Sequence, residues 1–312
     1  MRKYFPVILS IIVIIVAGYI VFSKKHADTM AVVQKVQEHN IGAFETQRTC
    51  AQLPQFLKHL KIPQPVVIDL SQKRYKGIAL HYGKKLGKTL HPRQWEQYEH
   101  FSTYTLDEQG NLYLVPMPFI SIRPTTFNLQ KNIYKLDTKT GKLSIFMHFE
   151  DVLPSADNPF GVNAITYDCD DHTLWVAAID ESDYQSQKGV IYHVNPGTKE
   201  ILQRIEGVDV LSMALIKSSK GKFLLVGSAR DNALYAYTVK NGQAEKIPEK
   251  LLALPSVNEH IRKIKIKGRN QLELQAIPFS YALIAQTAKK DRIYYDVFWN
   301  EKLQKWLVQK LK

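Results

Sequence analysis

Four segments of this chain repeat one pattern of strands and turns, and that repetition limits the fold more than any other feature. Their first strands read FSTYTL, NAITYD, SMALIK and IRKIKI. Each is followed by a polar turn (DEQGN, CDDHT, SSKGK, KGRNQ) and a second strand (LYLVP, LWVAA, FLLVG, LELQA). A third strand carries tyrosine at the matching step in NIYKLD, VIYHVN, ALYAYT and RIYYDV. A fourth follows in KLSIFMHF, EILQRI, AEKIP and KWLVQKL. Aligning Leu112, Leu174, Phe223 and Leu272 gives steps of 62, 49 and 49 residues. One such unit cannot bury both of its faces, so units recurring at this period must stack on one another.

A four-stranded unit at this period predicts an all-β fold, a β-propeller whose blades pack around a channel. Upstream, VVIDLSQKRYKGIALHYGKKL supplies a shorter unit, giving five blades, and irregular segments could assemble a sixth. A strand from that region is also available to close the ring against the last blade. The recurring Tyr134, Tyr192, Tyr235 and Tyr294 read as packing residues, and Leu174, Val176, Leu224 and Leu234 are expected between blades.

The chain begins MRKYFPVILSIIVIIVAGYIVFSKKH, with no charged residue from Tyr4 to Ser23. Twenty residues at about 1.5 Å each would cross a hydrocarbon core of about 30 Å. Val16-Ala17-Gly18 fits a signal-peptidase site only loosely, so residues 1–25 are expected to be a retained transmembrane helix. Residues 26–65 read as a stalk and lead-in, with a helix in HADTMAVVQKVQEHNIG capped by Asp28 or Thr29. Residues 66–312 are the propeller. This arrangement predicts a single-pass protein of an inner or plasma membrane with a periplasmic or extracellular propeller. The two cysteines, Cys50 and Cys169, show no metal-binding spacing and leave the redox compartment open.

The formal net charge is +13, and removing Arg2, Lys3, Lys24 and Lys25 leaves +9. A surface of this sign favours anionic partners. The lysines are scattered singly along strands, and no nucleic-acid signature accompanies them. G-x-S-x-G, H-E-x-x-H, Walker and dinucleotide motifs are all missing.

GVNAITYDCDDHTLWVA, followed by GVIYHVNPGTKEI, resembles the blade pattern of the SMP-30/gluconolactonase-like and strictosidine-synthase-like propellers. NIYKLDTKTGKL resembles their strand–Asp–x–x–Thr–Gly–strand element. The resemblance spans residues 66–312 and rests on blade punctuation. It implies a divalent cation held in the channel by Glu, Asn and Asp at blade entrances. Phe160 stands where those relatives place an asparagine ligand, with Asn163 three positions away. Asp209 stands near their Pro-Asp-Gly step without its glycine.

Two Glu-His pairs, Glu99-His100 and Glu259-His260, precede the innermost strands of two blades. With Asn163 and Asp209 they are the channel candidates, and Glu99 and Glu259 are the carboxylates available to one divalent metal ion; the alternative is that Glu and His line a wet channel mouth or pair with lysines. Alternation cautions that one member of each pair can face the axis while the other packs between blades. Asp168, Asp170, Asp171 and His172 align with plain turns in sister blades and read as a solvated turn. The leading expectation is a membrane-anchored propeller that binds a small-molecule or protein ligand on the exported side. The alternative is a metal-dependent lactone or ester hydrolase.

Overall fold

The computed structural model describes residues 40–44, 53–70, 75–98, 100–118, 125–179, 181–282 and 292–311. The expected membrane span and residues 26–39 of the helix expected after it lie outside them. Among the described residues no helix is long and apolar enough to cross a membrane.

Five antiparallel sheets succeed one another along the chain, forming a five-bladed propeller. The first has three strands, β1 (Val66–Asp69), β2 (Ala79–Tyr82) and β3 (Lys88–Leu90). The second holds β4 (Phe101–Leu106), β5 (Leu112–Pro116), β6 (Asn132–Leu136) and β7 (Leu143–His148). The third holds β8 (Val162–Asp168), β9 (Thr173–Ala178), β10 (Val190–Val194) and β11 (Ile201–Glu206). In the fourth, β12 (Val210–Ser218), β13 (Gly221–Ser228) and β14 (Ala233–Lys240) precede an outer edge shared by β15 (Gln243–Ala244) and β16 (Glu249–Ala253). The fifth holds β17 (His260–Gly268), β18 (Gln271–Ile277), β19 (Ile293–Asn300) and β20 (Lys305–Lys310). No sixth sheet forms among the described residues.

Two expectations about strands need correction. AEKIP, expected as the outer strand of the fourth blade, gives only Ala244 to β15, and β16 completes the edge. Pro248 lacks the N–H that a paired strand would need there. The described N-terminal strands also do not close the ring, because β1 pairs with β2 and the last sheet is built from β17–β20 alone.

The strand register shifts two repeat positions by one residue. Leu106 faces Leu112 in β4–β5, Tyr167 faces Leu174 in β8–β9, and Leu215 faces Leu224 in β12–β13. The structural equivalent of Leu174 is therefore Leu224, not Phe223. Likewise Leu114 pairs with Tyr134, Val176 with Tyr192, Val226 with Tyr235 and Leu274 with Tyr295. Tyr295 is the fifth-blade member of the series and is buried, whereas its neighbour Tyr294 is exposed. A one-residue slip moves a side chain to the other face of a strand. RIYYDV holds two adjacent tyrosines, and composition cannot say which one points inward.

Apolar layers join successive blades. Trp95, Ile78 and Leu80 meet Leu112 and Leu114 between blades one and two. Leu174 and Val176 lie in the layer between two and three, Leu224 between three and four, and Leu234 between four and five. All four of these expected core residues have zero relative exposure. Burying one such side chain contributes about 1.5–3 kcal/mol. The lead-in joins this packing, since Ile41 and Phe44 are buried in the layer of blades four and five, and Phe44 bridges to Ser218. Cys169 is disulfide-bonded.

Candidate functional site

The first strands of blades two to five, β4, β8, β12 and β17, run side by side around a cavity of about 740 Å³. Each strand is interrupted at the same step. The pairing skips one residue between Phe101 and Thr103, Val162 and Ala164, Val210 and Ser212, and Ile261 and Lys263. The bulged residues are Ser102, Asn163, Leu211 and Arg262. A bulge releases its residue from the ladder and re-aims its side chain.

Bonds between neighbouring inner strands form at and beside these positions. The Asn163 amide donates to the Val210 carbonyl at 2.7 Å. Arg262 Nη1 donates to the Leu211 carbonyl at 2.9 Å. The Ser212 hydroxyl donates to the Ile261 carbonyl at 2.8 Å. Further along, the Tyr167 N–H donates to Thr105 Oγ1 at 3.0 Å.

The expected site residues divide between two roles. His100, Asp209 and His260 each stand two residues before the bulged residue of their strand. The His100 and Asp209 carbonyls accept equivalent bonds, from Met117 N–H and Ala229 N–H, both at 2.9 Å. Asn163 reaches across the boundary of blades three and four to the carbonyl of Val210, the residue after Asp209. The structure thus gathers His100, Asn163, Asp209 and His260 at one end of the propeller. Glu99 lies outside the described residues. None of the other five belongs to the cavity wall.

Asp209 is a buried carboxylate with its oxygens fully engaged. Oδ1 accepts from the Ser182 hydroxyl at 2.6 Å and the Gly189 N–H at 2.9 Å. Oδ2 accepts from the Tyr281 hydroxyl at 2.6 Å, with Arg230 Nη1 at 3.9 Å. A Cβ at residue 189 would stand 2.4 Å from Asp209 Oδ1, so only glycine admits this approach. Burial, and then the bond to Asp209, push the Tyr281 hydroxyl well above its ordinary value. His260 is half-buried against Phe279, with ring centroids 5.7 Å apart, and burial pushes its imidazole down.

Glu259 turns away from the channel. Its carboxylate accepts from the Tyr295 hydroxyl on β19 and lies 3.5 Å from Lys310 Nζ on β20. This follows a pattern in which the third-strand tyrosines Tyr192 and Tyr235 donate to Asp151 and Asp231 at 2.9 and 2.7 Å. Glu259 thus supplies the fifth blade with a carboxylate that receives its tyrosine. Among the described residues no three His, Cys, Asp or Glu side chains lie close enough to hold a metal ion. In the Asp168 turn, Lys222 Nζ reaches Asp168 at 2.8 Å and Asp171 at 2.9 Å.

Phe160 before blade three and Phe279 after β18 meet at 5.2 Å. Those blades are not neighbours, so the two rings meet over the blade between them, packed with Leu211, Ile179, Ala229 and Tyr281. Leu211 belongs to this apolar cluster and also to the cavity wall.

Sequence reasoning missed Arg262, which does line the cavity. It lies in IRKIKI, where alternating Ile and Lys/Arg reads as a strand with one solvated face. The bulge that singles it out has no signature in the sequence. Burial pushes its guanidinium from its ordinary range down to about 10.

No protein-family model matches the chain, and no curated protein matches it. Among solved structures it is similar to a glucose dehydrogenase, at 16% identity and a TM-score of 0.41, over 79% of this chain and 75% of that one. A nidogen/laminin complex matches at 12% identity and a TM-score of 0.44, over 80% and 81% of the two chains. The PQQ-bound aldose sugar dehydrogenase from Streptomyces coelicolor matches at 11% identity and a TM-score of 0.27, over 75% and 98%.

Proposed function

We propose that this protein is a membrane-anchored, exported β-propeller that binds a small-molecule ligand in the channel between its inner strands. The observation that carries this reading is the 740 Å³ cavity, walled by β4, β8, β12 and β17. Small-molecule sites commonly fall at roughly 300–1,000 Å³ and combine apolar walls with a few polar groups. Here Ile165, Leu211, Met213 and Ile264 supply apolar surface, while Thr103, Thr105 and Ser212 supply hydroxyls.

Export is supported by the uncharged run Tyr4–Ser23 and by the disulfide at Cys169, since such bonds persist in oxidising compartments. Kinship with the SMP-30-like propellers is supported by the turn in NIYKLDTKTGKL. There Asp137 Oδ1 accepts from the Lys139 N–H at 3.0 Å and the Thr140 N–H at 2.8 Å, which explains the Asp–x–x–Thr spacing as a self-capped turn. Hydrolysis assisted by a metal would need carboxylates facing the channel. Among the described residues the cavity wall offers cations instead.

Native mass spectrometry of the purified full-length protein tests the channel reading, alongside Ala214→Trp, which places an indole inside the cavity wall. The expected result is a co-purifying small molecule that the variant has lost. A ligand retained equally by Ala214→Trp, or none retained by either protein, overturns the channel reading. Protease accessibility of the propeller on intact cells tests export, and a fully protected domain overturns it.

A further inference from the structure

Several of the more buried charged groups have partners of opposite charge or a full set of donors. Lys222 sits between Asp168 and Asp171, Arg204 holds Asp151, and Asp209 receives three donors. Arg262 differs. Among the described residues its one hydrogen bond goes to a neutral carbonyl, that of Leu211. Among the described residues, those that wall the cavity include Arg262, Lys263 and Lys265 and no aspartate or glutamate.

These three cations stand on one strand. At about 3.3 Å per residue they span roughly 10 Å of channel wall. The bulge at Arg262 breaks the alternation that would have sent it to the opposite face from Lys263. Burial, and then the charges of Arg262 and Arg292, push the Lys263 ammonium below its ordinary value. Arg262 is partly buried while Lys263 and Lys265 are exposed, and like charges gathered along one wall raise the energy of the empty site. An anion there would relieve both the desolvation and the mutual repulsion, and binding would stabilise the fold by mass action.

We infer that the channel ligand is a small organic anion. Its carboxylate or phosphate meets the Arg262 guanidinium beside the Phe160–Phe279 cluster, and its body lies along β17 toward Lys265. A planar guanidinium suits either oxyanion through paired N–H donors. The apolar cluster over that end favours a compact anion over a polyanion threaded through the channel. The inference rests on the channel-binding reading and adds the charge of the ligand to it.

The test uses the full-length protein, with citrate, inorganic phosphate and uncharged glucose as probes at fixed ionic strength and pH. Citrate and phosphate should raise the melting temperature in a concentration-dependent way, and glucose should not. Hydrogen bonds to a charged group are among the stronger ones, so Arg262→Gln should weaken apparent citrate binding at least about tenfold. Lys265→Gln, a change at an exposed side chain, should weaken citrate more than phosphate. Arg262→Gln should still unfold in one cooperative transition without probe. This shows that any lost response is not a loss of folding. Equal responses of wild type and Arg262→Gln, or a wild type indifferent to both anions, would overturn the anion inference. If Ala214→Trp leaves the citrate response intact, the channel reading itself falls, whatever Arg262 does.

Discussion

The Tyr281 hydroxyl donates to the Asp209 carboxylate at 2.6 Å, although 72 residues separate them. The bond ties the loop after β18 to the entrance of the fourth blade's inner strand. Arg230 reinforces it, donating to the Tyr281 hydroxyl at 3.2 Å and to the Tyr184 carbonyl at 3.2 Å. Asp209 is thus the anchor of a latch beside the channel. Tyr281→Phe should lower stability by about 1–3 kcal/mol, because a buried carboxylate oxygen loses a donor. Urea unfolding measures this. Hydrogen exchange should also quicken at Ala229, whose N–H bonds the Asp209 carbonyl. An unchanged midpoint would mean that Ser182 and Gly189 satisfy Asp209 without help.

The interblade layers make a second expectation quantitative. Leu174→Ala and Leu224→Ala each remove a side chain with zero exposure, and such truncations cost about 2–5 kcal/mol. Phe223→Ala tests the register independently, since Phe223 belongs to the layer between blades four and five. Its truncation should cost about 3–5 kcal/mol, and an unfolding midpoint equal to wild type would contradict the assignment.

Glu259→Gln separates structural from ligand roles. The carboxylate serves Tyr295 and Lys310, so the variant should lose about 1–2 kcal/mol of stability with channel binding unchanged. A variant of normal stability that no longer binds ligand would return Glu259 to the channel.

His193 predicts a dependence on pH. It is buried, stacks on Trp175 at 4.0 Å with an interplanar angle of 7°, and its Nε2 lies 2.7 Å from Thr173 Oγ1. Burial pushes it from 6.5 to about 4, against the pull of Asp168 and Asp171. Between those values the unfolded chain binds a proton that the folded protein refuses. The stability it contributes is therefore complete above about pH 6.5 and lost as pH falls toward 4. Each tenfold difference in proton affinity between the two states is worth about 1.4 kcal/mol, so the loss is of order 3 kcal/mol. Urea midpoints at pH 7 and pH 4.5 should fall further in wild type than in His193→Phe, which keeps a ring on Trp175 without a titrating group. Parallel slopes for the two proteins would contradict this.

Cys169 offers a test linked to export. Reduction, or Cys169→Ser, should lower stability by about 2–4 kcal/mol. Equal melting of oxidised and reduced protein would remove that support for an oxidising compartment.

Much of this architecture is legible in the amino-acid order because its causes are local. Period-two alternation makes strands, Gly, Asn and Asp make turns, and a unit repeated along the chain must stack, which leaves a propeller. The same reasoning places Leu174, Val176, Leu224 and Leu234 inside without any coordinates. It also finds the blade entrances, where His100, Asp209 and His260 stand at one equivalent step. Non-local geometry decides the rest. Tyr295, not Tyr294, enters the core because pairing with β18 sets the register, and two adjacent tyrosines look alike to any local rule. Glu259 leaves the channel because the Tyr295 hydroxyl lies within its reach, a contact made only once β17 and β19 share a sheet. Arg262 looks like one more solvated lysine or arginine until a bulge in the ladder turns it against the Leu211 carbonyl of the neighbouring blade. Propensity and alternation act over a few residues, whereas register, bulges and the partners of buried charges depend on groups that folding alone brings together.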